Sequence, residues 1–245
     1  PPPPPRRPPG RLKLGPNFSA APKSSKTVWF RFRTRFLQAT ASPVDFLHQN
    51  VVRLRLHPSV AQSLLRAVVH RLPSPVQTWF DSWFPEWNLS SQLIFKKYKE
   101  GWDEEFEAEK RAYARVRSLQ GVLVPQCFGE FRYDKVRALL LSDIGGANLA
   151  EPEGSLLEVS ELRRMLSQTV TPLAEFQVLQ DDVKLDNFHV VGDTVMAVDL
   201  ERLHEWPMPD KLIKSDIKWI VDFLGQRYED NQYCYWEDGL IAVEK

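Results

Sequence analysis

Residues 181–187, DDVKLDN, and residues 198–201, VDLE, gather acidic side chains, a lysine and an amide at short separations. Asp182 and Asn187 precede one short apolar run, and Asp199 follows a second. Carboxylate and amide oxygens held on loops are ligands that Mg²⁺ takes while it keeps several waters and shares phosphate oxygens. The pattern therefore favours a magnesium and phosphate site. The alternative interpretation is a charged surface hairpin.

The elements around these residues explain how the residues could meet. FHVV (188–191) and VMAV (195–198) are predicted strands, and the Gly-Asp pair between them favours a tight turn. Such a hairpin returns Asp199 to the neighbourhood of Asn187. Elsewhere the sequence predicts strands over 92–98, 121–131 and 137–144, and helices over 102–119, 156–176 and about 213–227.

A phosphate site also needs a cation, and the first of these strands offers one. QLIFKKY (92–98) carries Lys96 near its end, and Glu109 on the following helix is placed to hold that lysine. The neighbouring Lys97 is the competing cation, and the period of 2 in an apolar strand favours Lys96. For Glu109 the alternative is a solvated acid on a helix rich in acids.

Five stretches together resemble the protein kinase-like superfamily, most closely the fungal protein-kinase-like domains. They are LIFKKY, EFEAEKRAYARVRSLQG, VPQCFGE, ALLLSDIGG and DDVKLDNFHVVGDTVMAVDLE, and they span about residues 93–201. The resemblance implies an α+β, protein kinase-like two-lobe fold: a small antiparallel sheet lobe with one long helix, a hinge near 142–146 and a reduced helical lobe. It implies ATP and Mg²⁺ as cofactors, and transfer of a phosphoryl group to a hydroxyl of a protein Ser or Thr or of a small molecule.

The resemblance also implies roles for particular residues. Asp182 corresponds to the catalytic base and Lys184 to the lysine that neutralises the phosphate, while Asn187 and Asp199 correspond to the magnesium ligands. In the nucleotide site, Lys96 corresponds to the lysine that contacts the phosphates, and Glu109 corresponds to the glutamate that positions this lysine. The hinge residues Ser142, Asp143 and Ile144 correspond to the segment that contacts adenine.

Three departures from the family pattern favour a second hypothesis. Gln180 stands where the family usually has histidine, and Leu200 and Glu201 replace phenylalanine and glycine. No glycine occurs between Gly15 and Gly101, so no glycine-rich loop precedes the strand lysine. The alternative to an active enzyme is therefore a pseudokinase that binds a nucleotide or a partner protein without turnover.

The zero net charge of the 245 residues conceals an uneven distribution. The first 72 residues carry 13 Lys and Arg against one acid, a net charge of +12, and the remainder carries 19 against 31, a net charge of −12. We expect the basic part to contact the acidic part. A nucleic-acid module attached to the kinase-like body is a third hypothesis, which rests on charge alone, and a solvated arm is favoured over it.

Composition predicts three segments. Residues 1–27 hold nine prolines and are predicted to be a disordered segment, with a possible role in binding a partner's aromatic groove. Residues 28–74 form a basic extension with a strand over 28–36 and a helix over 58–73, and residues 75–245 form the kinase-like domain. No apolar run is long enough to span a bilayer, so we expect an intracellular protein, cytoplasmic or nuclear, without a membrane partner.

Overall fold

The computed structural model describes residues 10–19, 24–44, 50–179, 182–200 and 209–244. Within them the chain folds as a mixed α/β protein with antiparallel sheets and five α-helices. The chain divides into two compact units. Unit 1 comprises Pro1–Ala21, Glu104–Pro125 and Ile144–Lys245, and unit 2 comprises Pro22–Asp103 and Gln126–Asp143.

The elements follow one another in this order. The strands are β1 (Leu12–Leu14), β2 (Lys26–Phe32), β3 (Arg35–Pro43), β4 (Val51–Leu56), β5 (Gln92–Lys97), β6 (Cys127–Tyr133), β7 (Val136–Ser142), β8 (Ala147–Asn148), β9 (Phe188–Val191), β10 (Thr194–Ala197) and β11 (Ile241–Val243). The helices are α1 (Val60–Val69), α2 (Ser74–Trp83), α3 (Asp103–Arg115), α4 (Val159–Glu175) and α5 (Asp210–Glu237). None of the helices among the described residues combines the length and the apolar character that crossing a bilayer requires.

Unit 2 is built on one antiparallel sheet with the strand order β2-β3-β4-β5-β7-β6. In β2 and β3 alternate residues are buried, as the period of a half-buried strand requires. The buried side chains of one face form an apolar core that includes Phe30 on β2 and Phe131 on β6, whose ring centroids lie 5.5 Å apart. The two edge strands therefore approach each other, and the sheet curls around this core.

The structure differs from two strand predictions near the N-terminus. Leu12–Leu14, inside the segment expected to be disordered, form β1, which pairs with β11 and buries Leu12. The single strand predicted over 28–36 is two strands, β2 and β3, joined by a tight turn in which Arg33 has a positive φ of 51°. The apolar alternation continues on both sides of this turn, which is why the pattern did not reveal it.

The division predicted at residue 75 falls inside unit 2. β4, in the predicted basic extension, pairs with β5, in the predicted kinase-like domain, from Val51 opposite Lys96 to Arg55 opposite Gln92. The basic extension thus contributes strands β2, β3 and β4 to the six-stranded sheet.

The helix predicted over 58–73 is present as α1, and α2, which was not predicted, follows it. Ser59 caps α1, since its hydroxyl accepts a hydrogen bond from the Gln62 N–H. The sequence places Val60, Leu64, Leu65 and Val68 on one face of this helix. Of these four, Leu65 is half-buried, and Val60, Leu64 and Val68 are exposed.

In unit 1, β8, β9 and β10 form an antiparallel sheet next to α4. The predicted apolar face of α4 is buried, and Thr169 on the same helix donates a hydrogen bond to the Val195 carbonyl of β10. The buried Tyr228 hydroxyl on α5 accepts a hydrogen bond from the Leu157 N–H and donates one to the Gly154 carbonyl, both at 2.9 Å. Helix α5 therefore anchors the segment that leads into α4.

Candidate functional site

The loop at 182–187 is held between α4 and the β9–β10 hairpin. The register of the hairpin runs from Phe188 opposite Ala197 to Val191 opposite Thr194, in agreement with the sequence prediction. Beyond the hairpin the Val198 N–H donates a hydrogen bond to the Asn187 carbonyl at 2.8 Å. Asp199 directly follows Val198, so the backbone of Asp199 lies close to the end of the loop at Asn187.

Inside the loop, Lys184 forms an ion pair with one of the acidic side chains. Its ammonium lies 2.6 Å from the Asp182 carboxylate, and the Asn187 amide donates a hydrogen bond to the Asp182 carbonyl at 3.0 Å. The hydrogen bond to Asp182, together with the charges of Asp182, Asp186 and Asp199, raises the pKa of the Lys184 ammonium above its usual value. The structure therefore brings together Asp182, Lys184, Asn187 and Asp199.

Asp199 also has an unusual backbone conformation. Its φ is +59°, in the left-handed region, which non-glycine residues adopt infrequently. The other described non-glycine residues with positive φ lie in the tight turns of hairpins or, in the case of Gln177, just after the last turn of α4. Among the described residues 198–200, no such turn accounts for Asp199. Strained backbone of this kind tends to occur at functional sites.

The donor set at the end of the hairpin fits Mg²⁺. The Asn187 side-chain nitrogen is engaged with Asp182, which leaves the amide oxygen for the role of acceptor, and Asp199 adds a carboxylate. Mg²⁺ is commonly held by one or two carboxylates, with waters and substrate phosphates filling its other positions. In the described part of the chain no three His, Cys, Asp or Glu side chains form a metal cluster.

The strand lysine predicted to contact phosphates is almost fully buried in unit 2. Lys96 on β5 is only 7% exposed. Its neighbours Phe95 and Lys97 point to the opposite face of the strand, where the Lys97 ammonium lies 5.6 Å from the centre of the Phe95 ring. Lys97 thus has a packing role on the core side of the sheet, and Lys96 is the buried cation. A buried ammonium is stable only beside anionic or strongly polar groups.

Glu109, predicted to position that lysine, lies on α3 in unit 1. It shares one face of the helix with Phe106 and Tyr113, three residues before and four after, and it is 1% exposed. The alternative interpretation of Glu109 as a solvated acid is therefore wrong. Its predicted contact with Lys96 stays a prediction.

Two of the predicted hinge residues, Ser142 and Asp143, lie in unit 2, and their side chains form hydrogen bonds within that unit. The Ser142 N–H donates to the Gln126 carbonyl, and the Ser142 hydroxyl accepts from the Gln126 N–H at 2.9 Å. The nearly buried Asp143 carboxylate accepts a hydrogen bond from Arg53 at 2.6 Å. Ile144, the remaining hinge residue, begins the next segment of unit 1. Contact of these residues with adenine stays a prediction.

Sequence analysis missed two residues that support these sites. Arg53 pairs with Asp143 across 90 positions of sequence, and nothing local marks either residue for the other. Asn148 on β8 donates a hydrogen bond to the Asp186 carbonyl at 3.2 Å, and its side-chain oxygen accepts one from the Ala150 N–H. Asn148 therefore holds the middle of the 182–187 loop against β8.

Comparisons with known proteins were made by sequence and by structure. No protein-family model and no curated protein matches the chain. Solved structures do match, and one of them is the crystal structure of a point mutant of the PknI kinase domain from Mycobacterium tuberculosis. The identity is 10% and the TM-score is 0.43, over 59% of this chain and 66% of that domain. The chain thus spans just under two thirds of the kinase domain it matches.

Proposed function

We propose that the chain is a kinase-like phosphotransferase that binds ATP with Mg²⁺ and transfers the γ-phosphoryl group to a hydroxyl, in the first place that of a protein Ser or Thr. The convergence of Asp182, Lys184, Asn187 and Asp199 at the end of the β9–β10 hairpin carries the proposal. An ordinary surface hairpin does not require a carboxylate in a strained conformation next to a lysine surrounded by three acids.

Each side chain has a defined task in this proposal. Asn187 and Asp199 hold the magnesium ion, which neutralises charge on the phosphates when it is bound. Asp182 accepts the proton of the substrate hydroxyl as its oxygen bonds to the γ-phosphorus. The bond from that phosphorus to the bridging oxygen breaks, and ADP leaves. Lys184 stays cationic because its pKa is raised, and it balances the charge of the transferring group.

Lys96 and Glu109 support the nucleotide in this proposal. Lys96 contacts the phosphates, and Glu109 positions it, as the family resemblance implies. Both side chains are ionisable and buried, and burial of a charged group is expensive unless a partner of opposite charge or a ligand compensates for it.

The chain offers one specific observation in favour of nucleotide binding without turnover. The absence of glycine between Gly15 and Gly101 removes the residues that commonly present backbone amides to the phosphates. Such amides stabilise charge that develops in the transition state. A pseudokinase is therefore the second candidate. An experiment that measures phosphate transfer from ATP distinguishes it from an active enzyme.

The first experiment measures thermal unfolding with ATP, with and without Mg²⁺. A ligand that binds only the folded state raises the melting temperature in proportion to the logarithm of its concentration over its Kd. We expect Asp199→Asn to remove the magnesium-dependent part of the shift. The matched control is Asp193→Asn, since Asp193 lies exposed in the turn of the same hairpin. Absence of any shift at millimolar ATP would contradict both candidates.

The second experiment follows labelled phosphate from ATP to a serine-containing acceptor. Asp182→Ala should abolish transfer and retain ATP binding, because the base acts on the hydroxyl and not on the nucleotide. Lys96→Met should weaken ATP binding, and Lys97→Met, a neighbour on the other face of β5, should not. Background transfer in the wild type together with ATP binding would establish the pseudokinase.

A further inference from the structure

Exposed apolar side chains are concentrated on two helices of unit 2. On α1 they recur at Val60, Leu64 and Val68, four residues apart and therefore along one face. On α2 and the segment before it they are Leu72, Val76, Trp79 and Trp83. Leu64 is 64% exposed and Trp83 is 65% exposed. A cluster of this size on the surface marks an interaction site more often than a single exposed residue does.

The inward side of α1 carries the buried Val69 together with two polar side chains, Gln62 and Arg66. Arg66 donates hydrogen bonds to the carbonyls of Trp87 and Leu89, each at 3.0 Å. Gln62, one turn earlier, donates to the same Trp87 carbonyl and accepts a hydrogen bond from the buried Arg35. These bonds fix the rotation of the helix about its axis. Because the polar side chains are engaged inside, the apolar stripe is held facing outward.

The segments of unit 2 that precede and include these helices are basic in sequence. There is no acid from Val51 to Phe80, the next acid is Asp81 on α2, and the described residues 24–44 have none. The exposed cations of these segments are Lys26, Arg31, Arg33, Arg55 and Arg71. Two more large apolar side chains, Trp29 and Phe36, are exposed on β2 and β3, and the Arg31 guanidinium lies 5.7 Å from the centre of the Phe36 ring.

We propose that α1 and α2 form a docking surface for an anionic lipid membrane, with Val60, Leu64, Val68, Trp79 and Trp83 entering the interface. Amphipathic helices with basic surroundings and with Trp, Leu or Val on the outer face bind at the boundary between headgroups and acyl chains. Tryptophan is favoured at that boundary. The expectation of no membrane partner rested on the absence of a spanning segment, which interfacial binding does not need.

The exposed stripe of α1, which consists of Val60, Leu64 and Val68, offers no ring for a base to stack on, whereas single-stranded nucleic acid is bound largely through such rings. The rings of Trp79 and Trp83 suit either partner, so the stripe of α1 is the part of the surface that favours lipid over nucleic acid. The exposed cations of these segments complement an anionic surface, and each Lys or Arg near that surface adds attraction that salt weakens.

The test is co-sedimentation of the full chain with vesicles of phosphatidylcholine alone and of phosphatidylcholine mixed with phosphatidylserine. We expect partitioning into the mixed vesicles to be stronger by roughly tenfold or more at low salt, and to fall as salt is added. Trp79→Ser combined with Trp83→Ser should lower that partitioning by about tenfold. The control is Trp219→Ser on α5 in unit 1, where the side chain is 56% exposed, and it should leave partitioning unchanged.

A second measurement needs no variant. On addition of mixed vesicles, tryptophan fluorescence of the wild type should shift to shorter wavelength and should be quenched by brominated lipid. Three outcomes overturn the proposal: no binding to either vesicle at low salt, equal losses in Trp219→Ser and in the double variant, or a dimer that the double variant dissociates and that binds no vesicle.

Discussion

Helices α1 and α4 have similar amphipathic patterns and place their apolar faces in opposite ways. In α4 the apolar face, represented by Leu162, Leu166 and Leu173, is buried. In α1 the stripe of Val60, Leu64 and Val68 is exposed, and the inward side carries Gln62 and Arg66 together with the buried Val69.

The difference between the two helices shows what periodicity can decide. A repeat of 3.6 residues predicts that a segment is a helix with two unlike faces. Which face packs inward depends on the partners that the rest of the fold supplies. For α4 the partners are helix α5 and the apolar hairpin, and for α1 they include the backbone carbonyls of Trp87 and Leu89, which need donors.

The largest expected effect compares the same truncation in both helices. Leu166→Ala in α4 should lower the free energy of unfolding by about 2–5 kcal/mol, because it leaves a cavity in a close-packed core. Leu64→Ala in α1 should change it by no more than about 0.5 kcal/mol, because the side chain is already in contact with water. Chemical denaturation of the two variants measures both values. Similar losses of unfolding free energy in the two variants would show that Leu64 is buried, in contradiction to the exposed stripe.

An intermediate effect is expected from the inward polar face of α1. Arg66→Met removes the donor to the Trp87 and Leu89 carbonyls and should cost about 1–3 kcal/mol of unfolding free energy. Arg164→Met is the matched change on the exposed face of α4, and it should stay within about 0.5 kcal/mol. If Arg66→Met proved neutral, the carbonyls would not be what orients α1.

The smallest effect on stability is expected in the loop that follows α4. Asp182→Ala should lower the Lys184 pKa toward its usual value, which NMR titration of the lysine measures, while Asp193→Ala should not. The raised pKa means that this pair stabilises the fold below the unfolded pKa, about 10.4, and that the contribution is lost as the pH rises through the folded pKa. Both side chains are about half exposed, so the contribution at pH 7 should stay below about 1 kcal/mol. An unchanged Lys184 pKa in Asp182→Ala would contradict the ion pair.

The sequence was most informative where consecutive residues carry the signal. The β9–β10 hairpin, strand β5 and helix α4 each show a local period and local turn or end residues, and all three are present. The sequence was less informative for residues 28–36, where the alternation runs through the turn at Arg33. It was also less informative at residue 75, where a change of composition lies inside a single sheet.

By itself, the amino-acid sequence determined that β5, α4, β9 and β10 form, and that Asp182, Lys184, Asn187 and Asp199 follow one another at short separations. These are properties of neighbouring residues, since backbone propensity and side-chain period act over a few positions. Only the tertiary structure decided that α1 turns its apolar face outward and that Arg53 reaches Asp143. Burial and pairing depend on residues that are distant in sequence, and local patterns carry no information about such partners.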